Sequence, residues 1–281
     1  MKVLAIDIGG THVKLLVAGQ KAHSEFASSP DLTPAMLLAG VRKLAKDWKY
    51  DAVSFGYPGV VCHNRPLAEP FNLGKGWVGF DYRAAFQRPV KIINDAAMQA
   101  LGSYRRGRRL FLGLGTGLGS AMIVDGVLEP MELGHLPYKK ATFEDYVGIR
   151  GLKEFGEKKW REHVADVVKR LIAALEPDDV VLGGGNIHRL KVLPPGCRAG
   201  DNDNAFLGGF RLWPEVGACQ SSTRARHHLD HGEATEAVVR DGKKNHKSES
   251  HDQATFPKPG LESPRRALQT NSKAASAQTV R

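Results

Sequence analysis

Two glycine-rich stretches decide the fold of this chain: IDIGGTHVK at residues 6–14 and LGLGTGLGSA at residues 112–121. Each stands between two runs of apolar and β-branched residues, which predicts a pair of strands joined by a tight turn. Glycines in such a turn let backbone N–H groups converge on an anion, because no Cβ blocks the approach and a positive φ costs little. The repetition predicts two related half-domains, each with a phosphate-binding hairpin.

Two familiar nucleotide-binding patterns are excluded by the residues. A dinucleotide fingerprint has the spacing GxGxxG and leads into a helix, whereas a strand follows each glycine run here. The Walker A sequence with its Gly-Lys-Ser/Thr ending is also absent from the 281 residues. A third cluster, EPDDVVLGGGN at residues 176–186, has its glycines at the end of an apolar run. Ligands of open α/β sheets bind at such strand ends.

These stretches, together with four others, resemble the ROK family (repressor, open reading frame, kinase) of the actin-like sugar kinase superfamily. The resemblance is strongest to the polyphosphate-glucokinase-like branch. It is carried, in chain order, by IDIGGT, GYPGVV, NLGKGWVGFD, IINDA, GLGTGLGSA, ELGH and VVLGGGN, which together run from about residue 3 to residue 186. The resemblance implies an α/β protein with the two-lobed actin-like (ribonuclease H-like) fold, in which the phosphate-binding hairpin is duplicated.

The chain is predicted to have three parts. Residues 1–105 form a first α/β lobe with the first phosphate loop and the sugar and base motif. Residues 106–213 form a second α/β lobe with the second phosphate loop and the ELGH and GGG motifs. Residues 214–281 are rich in Ser, His, Gln, Lys and Glu and have few aliphatic residues. Such a composition buries too little apolar surface to offset ordering, so this tail is predicted to be disordered.

The acceptor site follows from the resemblance. Asp95 matches the general base that takes the proton from the sugar hydroxyl, and Asn94 matches its sugar-binding neighbour. Position alone, between a β-run and a helix, favours an N-cap role for Asp95. Glu132 and His135 of ELGH match ligands of the sugar hydroxyls, and Asn72 is a weaker candidate for the same pocket. A base with an ordinary carboxylate pKa near 4 would be adequate, because the hydroxyl must be oriented first and its proton is removed late.

Phosphoryl transfer needs cradles for the donor phosphates and a divalent metal more than covalent chemistry. The phosphate and nucleotide site is expected to comprise three glycine-rich groups: Gly9, Gly10 and Thr11; Gly115, Thr116 and Gly117; and Gly183, Gly184 and Gly185, where an adenine or ribose would lie close to the backbone. Asp7 would hold Mg²⁺ through water, or alternatively cap the turn. Trp77 either lines the pocket or packs in the core.

The function implied is phosphorylation of a hexose, foremost glucose at its 6-hydroxyl, with ATP or polyphosphate as donor. The intact GGGN segment favours a nucleotide, and the basic residues favour polyphosphate. One alternative is a catalytically weak or inactive sugar-binding protein of the same family. A transcriptional repressor is disfavoured because IDIGGT begins at residue 6, which leaves no room ahead of it for a helix-turn-helix domain.

Composition limits the partners and the compartment. The chain has a net charge of +10, and its basic residues cluster at 105–109, 139–140 and 158–161. These clusters are expected either to form a solvated surface or to attract a polyanionic phosphate donor. The basic clusters are not interleaved with aromatic residues, so specific nucleic-acid binding is not expected. A signal peptide, an apolar run long enough to span a bilayer and a C-x-x-C pair are all missing, so we expect a cytoplasmic protein with reduced thiols.

The resemblance also bears on zinc and on assembly. In many relatives the motif that matches ELGH is followed by a cysteine cluster that binds structural zinc. No cysteine cluster follows ELGH here, so no zinc is expected. Relatives commonly form homodimers, but the stretch from His135 to Gly183 is short here, so a homodimer is only weakly implied.

Overall fold

The computed structural model describes residues 1–201 and 203–213. The tail that the sequence predicts to be disordered, residues 214–281, lies outside the described residues. The strands before residue 105 are β1 (Val3–Ile8), β2 (His12–Val17), β3 (Ser24–Ala27), β4 (Ala52–Tyr57), β5 (Val61–Cys62), β6 (Arg65–Pro66) and β7 (Val90–Asn94). Five of them form the first sheet in the order β3-β2-β1-β4-β7, and β5 and β6 form a small hairpin.

The strands after residue 105 form a second sheet. They are β8 (Arg108–Leu114), β9 (Leu118–Val124), β10 (Val127–Met131), β11 (Pro137–Tyr138), β12 (Ala141–Thr142), β13 (Asp179–Gly183) and β14 (Cys197–Ala199). The sheet order is β10-β9-β8-β13-β14, while β11 and β12 pair with each other. In each sheet three antiparallel strands are followed by two parallel ones. The predicted repetition of a half-domain is therefore present in the topology.

Six α-helices accompany these strands within the described residues. They are α1 (Pro34–Leu44), α2 (Tyr82–Phe86), α3 (Asp95–Ser103), α4 (Phe143–Val147), α5 (Ile149–Leu175) and α6 (Asn204–Arg211). The start of α1 follows its sequence signal, because Thr33 caps the helix and Pro34 occupies the first turn. Helix α5 changes direction at Gly156, whose φ is 72°. In the part of the chain described, no helix combines the length and the apolar character needed to cross a membrane.

Helices α3 and α6 pack closely on each other and link the two sheets. Helix α3 contacts β4 and β7 of the first sheet and β8, β9 and β13 of the second, and α6 contacts β1 and β4. The contact depends on glycine: a Cβ on Gly102 would collide with the carbonyl of Asn204, and one on Gly208 with that of Met98. Residues 204–211, which the sequence division placed in the second lobe, thus pack on the first sheet.

Candidate active site

The tips of the two main hairpins lie against each other. The first tip joins β1 to β2 at residues 9–11, and the second joins β8 to β9 at residues 115–117. A Cβ placed on Gly10 would lie 3.2 Å from Oγ1 of Thr116. The structure thus brings together the two turns that the sequence predicts to bind phosphate, and that they bind phosphate stays a prediction.

The loop N–H groups divide into two sets. The N–H of Gly9 donates to the carbonyl of His12 at 3.0 Å, and the N–H of Gly115 donates to the carbonyl of Gly117 at 3.2 Å. These two groups close the turns. The other loop N–H groups make no hydrogen bond to a residue that the structure describes: those of Gly10, Thr11, Thr116 and Gly117. They are the groups available to an anion.

The hairpin tips do not use the positive φ that glycine tolerates at little cost. None of the tip glycines within the described ranges has a positive φ. Two of these glycines are closely approached by other groups, since a Cβ on Gly9 would lie 3.0 Å from the carbonyl oxygen of His12 and one on Gly117 would run into Oε2 of Glu144. Close approach therefore explains Gly9 and Gly117, whereas the Cβ position of Gly115 is open space.

Two carboxylates lie next to each other beside the loops. Asp7 is near the end of β1, and Asp95 is the first residue of α3, directly after β7. Gly56 of β4 lies between them. A Cβ at this position would be 3.3 Å from Oδ1 of Asp7 and 3.4 Å from Cα of Asp95. The predicted base and the predicted metal ligand therefore share one site.

Burial raises the pKa of both carboxyl groups. The pKa of Asp95 rises to about 7, first because of burial, then because of the negative charge of Asp7, and the N–H of Ala96 opposes the rise. The pKa of Asp7 rises to about 6 through burial, against the effect of Lys14. The pKa of Asp95 therefore lies well above the ordinary value near 4 that would already be adequate for a base. An isolated carboxylate has such a value, but this one is desolvated and has a like charge beside it.

Lys14 belongs to the site although the sequence analysis did not select it. It lies in β2 directly opposite Asp7 of β1, and opposite residues of an antiparallel pair project from the same face of the sheet. Its positive charge lowers the pKa of Asp7. Its ammonium group forms no hydrogen bond or ion pair with any residue in the described ranges. Lys14 is therefore a free cation beside the first phosphate loop.

The N-cap of α3 is Asn94, so the alternative that Asp95 caps this helix is wrong. Oδ1 of Asn94 accepts the N–H of Ala97 at 3.0 Å, and its Nδ2 donates to the carbonyl of Gly59 at 3.2 Å. Asp95 is the next residue, and its Oδ1 accepts the N–H of Ala96 at 2.8 Å. Asn94 therefore orients the helix that carries Asp95, and its amide is largely engaged by the protein.

The ELGH segment at residues 132–135 is anchored to β9. The buried hydroxyl of Ser120 donates to the carbonyl of Met131 at 2.7 Å and accepts the N–H of the residue after Glu132 at 3.0 Å. The charge of Glu132 adds to the raised pKa of Asp95. The structure therefore places this predicted sugar ligand near the predicted base.

A further carboxylate, Glu144, completes this side of the site and was missed in the sequence. It lies in the first turn of α4, with Oε1 at 3.9 Å from Nε2 of His135. Its other carboxylate oxygen lies against Gly117 of the second loop. Burial raises the pKa of Glu132, and the charge of Glu144 raises it further. Glu132, His135 and Glu144 thus form one polar group beside the second loop.

Asn72 and Trp77 differ in their surroundings. Asn72 is exposed. Trp77 is fully buried, packs on Tyr57 with 5.8 Å between ring centroids, and donates from Nε1 to the carbonyl of Gly74 at 2.8 Å. Trp77 is therefore a core residue, and the alternative that it lines the sugar pocket is wrong.

The three glycines at the end of β13 also differ from one another. The ring of Phe111 lies 2.7 Å from the Cβ position of Gly183. Gly184 has a φ of +86°, and its Cβ position lies 2.6 Å from the carbonyl oxygen of Leu114. Gly185 alone of the three has open space around it. Only Gly185 therefore leaves room for the predicted close approach of a nucleoside. Gly183 and Gly184 allow close packing on Phe111 and Leu114.

The basic cluster at residues 105–109 lies away from the phosphate loops. Arg109 is buried and its Nε donates to Asp179 at 2.6 Å, while Nη2 of Arg108 donates to the carbonyl of Leu175 at 2.7 Å. Both arginines are at the start of β8, whose opposite end leads into the second loop. Their contacts are structural.

A sequence model described as the ROK family matches residues 3–146. The chain belongs to the ROK family. The polyphosphate glucokinase of Mycobacterium tuberculosis (strain CDC 1551 / Oshkosh) is 29% identical over 203 residues, which are 64% of this chain and 76% of that protein. The resemblance to the ROK family that the sequence motifs indicated is thus confirmed.

Solved structures show the same fold. An inorganic polyphosphate/ATP-glucomannokinase from Arthrobacter sp. strain KM matches with a TM-score of 0.64 and 23% identity over 74% of this chain and 96% of that one. A ROK family glucokinase from Streptomyces griseus, in complex with glucose and AMPPNP, matches with a TM-score of 0.61 and 16% identity over 75% and 99%. This ROK protein has the two-lobed actin-like fold that the sequence predicted.

Proposed function

We propose that this ROK protein is a hexokinase of the glucokinase type, which transfers a phosphoryl group from ATP or polyphosphate to the 6-hydroxyl of glucose. The observation that carries the proposal is the arrangement in which two facing phosphate loops stand beside the neighbouring carboxylates of Asp7 and Asp95. The names of the relatives support the substrates, since they include a polyphosphate glucokinase and a polyphosphate/ATP-glucomannokinase.

Asp95 is the general base in this proposal. A base is most effective when its pKa is near the working pH, and the pKa of Asp95 is raised to about 7. Its carboxylate is oriented by the N–H of Ala96 and by the capped start of α3. It would accept the proton of the 6-hydroxyl as the new bond to phosphorus forms. Glu132, His135 and Glu144 would bind the other sugar hydroxyls, and Asn72 stays a predicted ligand.

The residues present fit Mg²⁺ at Asp7. Its carboxyl group is partly buried and has a raised pKa, so a cation beside it would favour the charged form. No group of three or more His, Cys, Asp or Glu side chains that would hold a metal occurs in the described ranges. Mg²⁺ commonly binds one or two carboxylates and completes its shell with water and donor phosphate. The ion would neutralise phosphate charge, and Asp7 would place it beside the first loop.

Product formation by the full chain tests this function. Glucose, mannose, N-acetylglucosamine, N-acetylmannosamine and fructose would each be incubated with Mg²⁺ and with ATP, GTP or polyphosphate. We expect turnover of glucose, with loss of nearly all turnover in Asp95→Asn. A folded protein that binds sugar without transferring phosphate from any donor would instead establish the sugar-binding alternative.

Compartment and assembly form the remaining part of the proposal. We infer a cytoplasmic enzyme, because both proposed donors are cytoplasmic, and a homodimer, because the family commonly forms one. Light scattering coupled to size-exclusion chromatography of the full chain measures the oligomeric state. A monomeric mass at micromolar concentration would contradict the proposed homodimer.

A further inference from the structure

One buried side chain, that of Asn186, joins the third glycine cluster to the second phosphate loop. Its backbone N–H donates to the carbonyl of Leu114 at 2.9 Å, and its side-chain Nδ2 donates to the carbonyl of Gly115 at 3.0 Å. The residue is 9% exposed. No other side chain in the described ranges hydrogen-bonds to the backbone of residues 114–117.

The bond to Gly115 determines which way one peptide group faces. The carbonyl of Gly115 and the N–H of Thr116 belong to the same planar trans peptide, so they point in opposite directions. Because Asn186 holds the carbonyl, the N–H of Thr116 is directed away from Asn186, and it donates to no described residue. If this peptide turned over, a carbonyl oxygen would take the place of the N–H and repel an anionic phosphate.

The neighbouring glycines support the same role for the segment. Gly183 packs on the ring of Phe111. Gly184 has a positive φ, and its Cβ position lies against the carbonyl oxygen of Leu114. Two of the three glycines therefore let β13 approach the strand that leads into the second loop. This use of glycine requires no nucleoside.

We propose that Asn186 is a positioning residue that holds the peptide between Gly115 and Thr116 in the orientation that binds the donor's phosphates. The inference rests on the proposed kinase function and extends it. The GGGN segment acts on the phosphates that ATP and polyphosphate have in common, and it does so through the second loop. Both donors therefore depend on Asn186 to a similar extent.

The variant Asn186→Asp tests this role with little change of shape. It removes the N–H donor and turns an acceptor toward the carbonyl of Gly115, which leaves a buried hydrogen bond unmade. We expect kcat/KM to fall about tenfold or more with ATP and by a similar factor with polyphosphate, and the KM for glucose to stay unchanged. Gln20→Glu, which adds the same charge in an exposed turn, serves as the matched control.

Binding of tripolyphosphate to the full chain separates this inference from the proposed function. We expect calorimetry to show binding to the wild type and binding at least about tenfold weaker to Asn186→Asp. This measurement needs no sugar turnover, so it decides the role of Asn186 even if the wild type phosphorylates no sugar. Unchanged tripolyphosphate binding, or a loss of turnover confined to ATP, would overturn the inference.

A measurement on the unaltered protein covers the case in which Asn186→Asp does not fold. Tripolyphosphate should slow amide hydrogen exchange at Thr116 and Gly117, because the free N–H groups of these two residues would then be hydrogen-bonded. Exchange that is the same with and without tripolyphosphate would also overturn the inference.

Discussion

The two glycine-rich hairpins share a strand pairing and differ in the residues that occupy the same position within it. One pair before the end of the first hairpin, Asp7 faces Lys14. At the corresponding place in the second hairpin, Gly113 faces Gly119. The first hairpin therefore brings charge to the site, and the second leaves space.

The space in the second hairpin is used by the helix that carries the proposed base. A Cβ on Gly119 would lie only 2.9 Å from Cβ of Ala96, the residue after Asp95. The glycine lets the second sheet approach the start of α3, which itself follows the last strand of the first sheet. The duplicated fold thus has one half that carries the facing charges of Asp7 and Lys14 and one half whose Gly119 lets it approach the start of α3.

The largest effect is expected at the residue where the two halves meet. Asp95→Asn keeps the shape of the side chain and removes its basicity, so kcat should fall roughly 10²- to 10⁴-fold while the sugar still binds. Steady-state kinetics with glucose and calorimetry of sugar binding measure the two quantities. Asp47→Asn, at a side chain that is 82% exposed, is the control. Turnover near that of the wild type would show that the base lies elsewhere.

The charged half is tested by Lys14→Met, which keeps much of the length of the side chain. Without this cation the donor phosphates meet the carboxylate of Asp7 with less compensation, so kcat/KM for the donor should fall about tenfold to a hundredfold. The KM for glucose should change little. Lys46→Met, at a side chain that is 74% exposed, provides the comparison. If the two variants had equal kinetics, Lys14 would have no role in binding the donor.

The half that leaves space is tested by Gly119→Ala. The added methyl group overlaps Cβ of Ala96, and overpacking of this kind costs about 1–3 kcal/mol of stability. We expect a lower Tm and a lower kcat, because the start of α3 must move. Adding Ala96→Gly should restore part of both, and strictly additive losses in the double variant would argue against the contact.

Local patterns in the sequence were sufficient for the hairpins. The runs around the glycine turns predicted β1, β2, β8 and β9. Each of these features depends on residues close together in the chain. The ROK motifs then supplied the family and the order of the two halves.

Contacts between distant segments account for what the sequence did not predict. Lys14 could have been found, since a short hairpin places it opposite Asp7. Glu144 had a weaker signal: the capping box of Thr142 and Asp145 marks a helix start soon after ELGH, and Glu144 lies in its first turn. Asn186 had none, because the partner of its side chain, Gly115, is 71 residues away in the chain.

The smallest predicted effect concerns pH, which should act in opposite directions on stability and activity. The folded-state pKa values of Asp95 and Asp7, about 7 and about 6, exceed the ordinary value of 3.8. Between about pH 4 and pH 7 the folded protein therefore binds more protons than the unfolded chain, so these groups make stability fall as pH rises. Activity rises over the same range as Asp95 loses its proton.

Thermal unfolding without donor or Mg²⁺ between pH 5 and pH 8 measures this contribution. The Tm difference between Asp95→Asn and the wild type should grow in favour of the variant as pH rises, because the variant no longer has to bury that charge. Asp47→Asn should follow the wild type. A difference that stays constant across the range would mean that Asp95 titrates normally, and the charged half would then have no influence on the base across Gly56.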